Sequence, residues 1–386
     1  MIARIYIIII IAIVLPDIYI YRSFLRKKPS LTQWHKTLWW MPCLLLAAAT
    51  TYFSLTDHFV PQDQRLFNAY MFVMAISVVP KLLFFLCSLA GMGLSKALHL
   101  RHNYGNHTGL VAALGSLYVL SAGCMTGTGN LHVRRMTLEF DSLPMAFDGY
   151  RIVQFTDAHL GSIKPDLLER AVAETNGMQP DAIVFTGDLQ NMLPQEITPH
   201  TGILGSLKAR DGVFSVLGNH DYSIYTDLPP RQKVDNEKTT QRLQRSMGWQ
   251  LLMNDHHIIR RGNDSIVMAG YENDGKRPFP SKGSLDKALK GVDSRAFVVM
   301  LQHDPSAWRR NILPRSNAQL TLSGHTHGGQ MSIMGWRPTK LVGKEDAGLY
   351  DEGGRKLFVS TGLGGVLPFR FHCDPEIVEI TLKTRK

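Results

Sequence analysis

The sequence predicts an α/β domain that is preceded by about four transmembrane helices. Four long apolar blocks fill the first third of the chain, and short apolar runs alternate with helical stretches over the rest. Runs rich in Val, Ile and Phe, about six residues long, are typical of buried strands. Strands that alternate with helices indicate an α/β architecture. We therefore divide the 386 residues into a transmembrane anchor at 1–135 and a second domain at 136–386.

The four apolar blocks lie at about 3–21, 38–56, 67–94 and 109–128. Each approaches or exceeds the roughly 20 residues that a helix needs to cross the hydrocarbon core of a bilayer. A secretory signal peptide is the alternative for the first block, but the basic stretch YRSFLRKKPS follows it where a small-residue cleavage site would stand. The blocks therefore predict a retained, multi-pass membrane anchor.

Charge in the connecting loops predicts the orientation of this anchor. The loop after the first block carries five basic residues between 22 and 36, and the loop after the third block carries Lys96 and Arg101. The positive-inside tendency places both loops in the cytoplasm, so the second domain is expected on the extracytoplasmic side of the cell (inner) membrane. Arg134 and Arg135 oppose this weakly, and the domain is cytoplasmic if the fourth block does not span.

One basic residue lies inside the third apolar block. Lys81 directly follows Pro80, and a lysine at that depth usually faces a partner or a wet cavity. Asp17 in the first block, which also follows a proline, is the candidate partner. A structural ion pair or a snorkelling lysine is favoured over a substrate or ion role.

The net charge of +10 belongs almost wholly to the anchor. Residues 1–135 hold 12 Lys and Arg against 3 Asp, whereas the remainder holds 30 basic against 29 acidic residues. No basic groove is indicated, so nucleic acid is not a predicted partner. Cys373 is the one cysteine outside the apolar blocks, so the second domain cannot close an internal disulfide.

Residues of metal-binding type follow five of the predicted strands. In open α/β sheets the carboxyl ends of the strands line the ligand crevice, so these residues are expected to converge. Five such ends in order are hard to obtain by chance, which disfavours ordinary polar loops. In chain order the ends supply Asp157 and His159, then Asp188, then Asn219 with His220 and Asp221, then His303, and finally His325 with His327.

The ligand types indicate divalent metals. Carboxylate, imidazole and amide oxygen without thiolate suit Mn, Fe, Zn or Co. The set is too large for one tetrahedral zinc, which takes about four ligands, so two ions are the natural count. Paired ions about 3.5–4 Å apart are a device for phosphoryl transfer. His325 and His327 would then serve different ions, and the glycines of SGHTHGGQ would permit the tight turn.

The set D-x-H, G-D, G-N-H-D, H and G-H-x-H resembles that of the calcineurin-like metallophosphoesterases. The extended G-H-T-H-G-G-Q and the ending FVSTGLGGVLPFRFHCDPEIVEITL are similar to the bacterial YkuE-type branch. The resemblance covers about 145–385 and implies a sandwich of two mixed β-sheets flanked by helices. Its motifs are specific for the superfamily and poorly specific for the substrate.

The resemblance also implies a role for each residue. A hydroxide between the ions would attack phosphorus in line. His220 would stand beside the leaving-group oxygen as general acid or phosphoryl donor, and Asp221 would orient His220. The ions themselves would be held by Asp157, His159 and His327 for the first, by Asn219, His303 and His325 for the second, and by Asp188 bridging both.

We interpret the chain as a membrane-anchored, two-metal hydrolase of phosphoester or pyrophosphate bonds. An active site held at a membrane favours a lipid-linked or envelope substrate. The alternatives are an extracytoplasmic phosphodiesterase for soluble nucleotides, a non-catalytic membrane sensor with a structural metal site, and, prompted by Lys81, a transporter-like bundle. The sequence leaves the substrate, the native metals and the oligomeric state open.

Three further features receive no ligand role. His256 and His257 are interpreted as a turn or strand start. The polar segment 222–245 is interpreted as a surface helix, with a cap near the pocket mouth as the alternative. The Gly-Leu-Gly-Gly stretch at 362–365 lacks the spacing of a dinucleotide fingerprint and predicts a turn near the metals.

Overall fold

The computed structural model describes residues 2–55, 64–341, 343 and 345–385. The chain separates into two compact units, Met1–Met125 and Thr126–Lys386. The expected boundary at residue 135 falls inside the first strand, His132–Phe140, which pairs along its whole length with the last strand of the chain. The second unit therefore begins earlier than the sequence indicates, because hydropathy alone does not register a strand that follows a membrane block.

The first unit is helical. Among its described residues, four stretches are long and apolar enough to span a membrane: Ile5–Leu25, Gln33–Leu55, Leu66–Ala97 and Gly105–Met125. They correspond to the four predicted blocks, although residue 56 at the end of the second block lies outside the described residues. Only 11–22% of each stretch is buried, as expected for helices whose apolar surface meets lipid. The helices are α1 (Ile2–Ile20), α2 (Gln33–Leu38), α3 (Trp40–Leu55), α4 (Gln64–Ala97) and α5 (Gly105–Met125).

Lys81 of α4 and Asp17 of α1 form an ion pair within the first unit. The Lys81 Nζ lies 2.8 Å from both carboxylate oxygens of Asp17. Asp17 is fully buried, whereas the Lys81 side chain is 21% exposed. The Trp39 ring lies 5.6 Å from the same Nζ atom. The predicted pairing of Lys81 with Asp17 is therefore confirmed, and the pair joins two membrane helices.

The second unit is a sandwich of two mixed six-stranded sheets, as predicted. The strands are β1 (His132–Phe140), β2 (Arg151–Phe155), β3 (Ala182–Phe185), β4 (Val213–Ser215), β5 (Gln250–Leu251), β6 (Asp255–Arg261), β7 (Asp264–Gly270), β8 (Phe297–Leu301), β9 (Leu320–Ser323), β10 (Gly348–Glu352), β11 (Arg355–Val359) and β12 (Glu376–Thr384). The strand order is β1-β12-β2-β3-β4-β5 in the first sheet and β10-β11-β9-β8-β7-β6 in the second. Strands β2 to β5 run parallel, and so do β7, β8, β9 and β11.

Helices flank the two sheets. They are α6 (Pro165–Gly177), α7 (Thr201–Leu204), α8 (Pro230–Ser246), α9 (Leu285–Ala288) and α10 (Leu313–Arg315). Successive residues of a strand point to opposite faces, and here both faces are buried. Ile152 belongs to the core cluster that also contains Val299 of the other sheet, while its neighbour Val153 belongs to a second cluster that contains Leu168 of α6. The carboxyl ends of the parallel strands are therefore the places where polar side chains can gather.

Candidate metal centre

The predicted ligands lie in the turns that directly follow β2, β3, β4, β8 and β9. Parallel strands end at the same edge of a sheet, so the turns of each sheet come together. Contacts between the two sheets then bring together the edges at which their parallel strands end. The Gln154 amide of β2 donates to the Ser323 carbonyl of β9 at 2.9 Å, which brings the turn after β9 beside the turn after β2.

The seven predicted metal ligands converge on one point. Six of them, together with His220, form three overlapping groups whose candidate ligand atoms lie within 4.8 Å of one another: Asp157, His159 and His327; His159, Asp188 and His220; and Asp188, His303 and His325. The Asn219 Oδ1 atom joins the last group, 3.1 Å from His303 Nε2. The Asp188 Oδ2 atom lies 3.8 Å from His159 Nε2 and 3.1 Å from His303 Nε2. Asp188 thus stands between the two expected ligand sets.

Backbone strain marks the same residues. Residues other than glycine rarely adopt positive φ values. Such strain costs on the order of 1–3 kcal/mol per residue and clusters at functional sites, where the surrounding structure over-determines it. Five of the expected ligands adopt it, with φ of 51° at Asp157, 47° at His159, 60° at Asp188, 76° at His325 and 51° at His327.

Two glycines let these turns approach the carboxylates. A Cβ atom at Gly218 would collide with Asp188, and one at Gly324 would collide with Asp157. The close approach is used by the next backbone group, because the His325 N–H donates to both Asp157 oxygens at 3.0 and 3.1 Å. The glycines beside the predicted histidines therefore serve close packing around the carboxylates as well as turn geometry.

Hydrogen bonds outside the centre determine which ring nitrogens face it. The His303 Nδ1 atom lies 2.8 Å from the Thr186 carbonyl oxygen, so Nδ1 carries a proton and Nε2 is the ring nitrogen that faces the centre. The His159 Nδ1 atom lies 3.0 Å from Asn191 Oδ1, so its Nε2 also faces the centre. Such outer hydrogen bonds are typical of metal-binding histidines.

The inner atoms lack enough hydrogen-bond donors of their own. The Nε2 atoms of His159 and His327 are 3.2 Å apart, and the His327 Nε2 is 3.4 Å from Asp157 Oδ1. The buried Nδ1 atoms of His325 and His327 have no hydrogen-bond partner among the described residues. Lone pairs and carboxylate oxygens gathered in a buried site are the donor set that divalent cations satisfy. The residues present therefore fit a metal centre.

The pKa shifts agree with this reading. Burial lowers the pKa of His159 to about 3, which keeps the imidazole neutral. Burial also acts on His303, but the Asp188 carboxylate outweighs it and raises the His303 pKa to about 10. Burial raises the pKa of Asp157 to about 6. The raised pKa of His303 shows that the carboxylates of the centre stabilise positive charge, and bound divalent ions would supply that charge in place of the His303 proton.

His220 lies at the side of the centre. Its Nδ1 atom is 2.5 Å from the Asn191 carbonyl oxygen, and its backbone N–H donates to Asp188 Oδ1 at 2.8 Å. Its ring packs on the Tyr225 ring with centroids 4.2 Å apart. Because Nδ1 is engaged by a carbonyl, Nε2 is the ring nitrogen that remains for contact with a substrate.

The expectation that Asp221 orients His220 is wrong. The buried Asp221 carboxylate accepts backbone N–H bonds from Gly218 and Asp188 at 2.9 Å, and two more come from Leu189 and Gln190 at 3.0 and 3.3 Å. It therefore holds the turns after β3 and β4 together. Adjacent residues in a helical turn do not face each other, so a carboxylate next to His220 in sequence points elsewhere.

Two residues of the centre escape sequence reasoning. Asn191 orients two histidines, because its side-chain oxygen faces His159 and its backbone carbonyl faces His220. The Tyr225 hydroxyl accepts a 2.7 Å hydrogen bond from Asn219 Nδ2, which turns the amide so that Oδ1 faces His303. In the sequence, only the closeness of Asn191 to Asp188 in G-D-L-Q-N suggests that Asn191 belongs to the site. No sequence pattern suggests Tyr225, because it lies in an irregular turn.

The three remaining features take the expected places. His256 and His257 lie at the start of β6, and the His256 Nδ1 atom is 2.9 Å from the Ala288 carbonyl oxygen. Most of the polar segment 222–245 forms α8, which carries mainly exposed side chains. The turn at Gly362 lies against Asp157, because a Cβ atom there would stand 2.7 Å from the Asp157 Cβ. The predicted strand start, surface helix and nearby turn are confirmed.

Comparisons with known proteins agree with both units. Residues 3–128 match the family described as probable calcineurin-like phosphoesterase, transmembrane domain, and residues 150–329 match the calcineurin-like phosphoesterase family. The uncharacterized metallophosphoesterase YkuE of Bacillus subtilis is 30% identical, over 70% of this chain and 96% of YkuE. A Bos taurus transmembrane protein with metallophosphoesterase domain is 28% identical, over 96% of this chain and 86% of its own.

A third relative carries a more specific name. The UDP-2,3-diacylglucosamine pyrophosphatase LpxG of Chlamydia trachomatis is 28% identical, over 70% of this chain and 96% of LpxG. Together with the fold and the ligand cluster, these likenesses define a metal-dependent phosphohydrolase. The chain belongs to the calcineurin-like phosphoesterase family, and it is a membrane protein of that family with its own four-helix transmembrane region.

Proposed function

We propose that the chain hydrolyses phosphoester or pyrophosphate bonds of a lipid-linked or envelope substrate, using two divalent ions held at the candidate metal centre. The position of Asp188 between two sets of ligands is the observation that supports two ions. Asp157, His159 and His327 would hold the first ion. Asn219, His303 and His325 would hold the second, and Mn, Fe, Zn or Co suits such ligands.

The residues around the ions divide the remaining work. When bound, two divalent ions supply an activated water and stabilise the charge that develops on the phosphoryl group. His220 offers Nε2 to the phosphoryl or leaving-group oxygen, while Asn191 holds the ring through Nδ1. Asp221 keeps the two ligand turns in register through its four backbone hydrogen bonds.

Two observations favour a lipid-linked substrate over a soluble nucleotide. The chain carries four stretches able to span a membrane, so its active site is confined to the vicinity of a bilayer. LpxG, one of its relatives, is named for a diacylated nucleotide sugar and for pyrophosphatase activity. We place this substrate class ahead of soluble nucleotides on these grounds.

We also propose that the second unit lies on the extracytoplasmic side of the inner membrane. The basic loop between α1 and α3 supports a cytoplasmic position for that loop, and four spans then carry the second unit across. Arg134 and Arg135 belong to β1, where they pair with Glu376 and Glu379 at 3.1 and 3.0 Å. They are part of a folded sheet and do not form a separate membrane-flanking loop.

Hydrolysis of bis(p-nitrophenyl) phosphate by the full chain in nanodiscs tests the reaction class. We expect turnover to disappear on chelation and to return with Mn²⁺, because the proposed reaction needs a water activated by bound divalent ions. The His220→Ala variant should keep its metal, measured by mass spectrometry, and lose about 10²–10⁴-fold in turnover. His256→Ala is the control, since His256 lies on β6 outside the centre.

The alternative of a non-catalytic sensor has a distinct outcome. Metal bound at two ions per chain without turnover of diesters or pyrophosphates, together with full cellular function of His220→Ala, would favour the sensor. Comparison of a pyrophosphate lipid in the nanodisc with a soluble nucleotide separates the two substrate classes. Faster turnover of the soluble nucleotide would contradict the lipid-linked proposal.

Tyr225→Phe tests the support of the second ion. The variant removes the hydroxyl that accepts from Asn219 Nδ2, so the amide loses its orienting partner. Loss of an outer-shell partner costs about 10–100-fold in metal affinity or activity, and we expect a loss in that range. Tyr222→Phe is the matched control, because its hydroxyl contacts Glu272 and no expected ligand. Equal Mn²⁺ affinity in Tyr225→Phe and the unaltered chain would contradict a role for the Tyr225 hydroxyl in metal binding.

A further inference from the structure

Most of the exposed large apolar side chains of the second unit come from one segment of the chain, which begins shortly after the expected ligand His327. Among its described residues, eight large apolar side chains are exposed, and six of them lie between residues 333 and 367. Their exposed fractions are 42% for Ile333, 100% for Met334, 46% for Trp336, 78% for Leu341, 47% for Leu349 and 38% for Leu367. Clustered apolar exposure of this kind marks an interaction surface.

Ile333, Met334 and Trp336 form what we call the apolar tip. Two backbone hydrogen bonds of 2.9 Å pair Ile333 with Trp336, and each residue donates one of them. Met334 and Gly335 form the turn between them, with φ of 51° and 81°. The exposure of Met334 therefore belongs to a hydrogen-bonded hairpin turn.

The apolar tip is connected to the metal-ligand turn. The tip begins shortly after His327, and the Gln330 side chain between them donates to the Leu367 and Phe369 carbonyls at 3.1 and 3.0 Å. On the other side, Arg337 pairs with Asp346, whose backbone carbonyl accepts a hydrogen bond from the Thr326 hydroxyl. Thr326 stands between His325 and His327 in sequence. Hydrogen bonds on both sides of the tip therefore connect it to the turn that carries His325 and His327.

The segment behind the tip lines a cavity of mixed chemistry. An open cavity of about 560 Å³ is lined by Arg337, Lys340, Leu341, Leu349 and Tyr350, together with Gly343, Asp346 and Ala347. Lys340 and Leu341 place a cation beside an exposed apolar side chain. Cationic and apolar groups side by side match an amphipathic lipid, whose phosphate and acyl chain need both.

We propose that the apolar tip inserts into the interfacial layer of the bilayer and presents the metal centre to the phosphate of a lipid-held substrate, which rests on the proposed hydrolase function. The bilayer is the occupant because the same chain carries four membrane-spanning stretches and the second unit follows α5 directly. Tryptophan is enriched at membrane interfaces, and Lys340 suits anionic headgroups nearby. Apolar side chains exposed beside a catalytic centre are costly in water unless another surface covers them.

Spin labels on the full chain in phosphatidylethanolamine and phosphatidylglycerol nanodiscs test the insertion. With the four native cysteines replaced by serine, one label is placed at Met334→Cys and a control label at Met145→Cys, a methionine that is 70% exposed and lies outside the cluster. We expect the label at 334 to collide more with oxygen than with a water-soluble nickel complex. The label at 145 should show the reverse.

The same accessibility at both positions would overturn the proposal. Spin–spin broadening at 334 with low oxygen accessibility would also overturn it, because a second copy of the chain would then cover the tip.

A kinetic measurement keeps the native cysteines and tests the same point. The double variant Met334→Ser with Trp336→Ser should lose about tenfold or more in turnover of a pyrophosphate lipid embedded in the nanodisc. The reason is that the free energy gained by burying two large apolar side chains corresponds to more than a factor of ten in an equilibrium constant. Its turnover of bis(p-nitrophenyl) phosphate should stay unchanged. Equal loss on both substrates, or no loss on either, would overturn membrane insertion. Absence of diester turnover in the unaltered chain would instead refute the proposed hydrolase.

Discussion

Replacement of Asp188 by asparagine is expected to lower the turnover of bis(p-nitrophenyl) phosphate by at least about 10³-fold. Asp188 Oδ2 lies 3.1 Å from His303 Nε2 and 3.8 Å from His159 Nε2, so one carboxylate serves both sides of the centre. The amide keeps the shape and removes the charge. A metal ion supplies several kcal/mol of transition-state stabilisation, and each 1.4 kcal/mol or so is a factor of ten.

Metal content and kinetics of the same sample check this expectation. We expect Asp188→Asn to retain fewer ions per chain than the unaltered protein after dialysis, because both ligand sets lose their shared anion. Asp293→Asn is the matched control, since that aspartate is exposed, pairs with Arg295 and precedes β8, whereas the expected ligand His303 follows β8. A variant at 188 that held two ions and kept more than a tenth of the turnover would contradict the bridging role.

Lys81→Met is expected to destabilise the first unit by about 3–5 kcal/mol, the typical result of removing one partner from a buried ion pair. The change leaves the fully buried Asp17 carboxylate without the ammonium that now lies 2.8 Å from both of its oxygens. Asp17→Asn should cost less, because Lys81 is 21% exposed and a lysine side chain can reach toward the interface. The double variant should recover most of the stability.

Thermal unfolding of the full chain in nanodiscs measures these differences as a double-mutant cycle. Lys96→Met is the control, because Lys96 lies in the last turn of α4 and its side chain is exposed. An unfolding temperature of Lys81→Met equal to that of the unaltered chain would show that the ion pair does not stabilise the first unit. Normal stability with lost transport or turnover would revive a role for Lys81 in handling substrate.

Sequence reasoning could select the candidate ligands because each of them leaves a local pattern. Asp157 and His303 each directly follow a short buried strand, and parallel strands end at a common edge, so convergence could be predicted without coordinates. The same reasoning failed for Asp221. Adjacency to His220 in sequence indicated contact, whereas a helical turn sends neighbouring side chains in different directions.

The sequence by itself therefore determined the four apolar blocks, the α/β class of the second domain, the expected ligands and the candidate pair of Asp17 with Lys81, whereas the two-sheet sandwich was expected from the family resemblance. Each of these depends on side-chain chemistry or on periodicity, which the residue order records directly. Tertiary structure alone decided that Asn191 orients His159 and His220, that Asp221 binds backbone amides, and that the apolar tip stands beside the ligands. These contacts run largely through main-chain N–H and C=O groups, which are the same in nearly every residue. Only the path of the folded chain determines which of them meet.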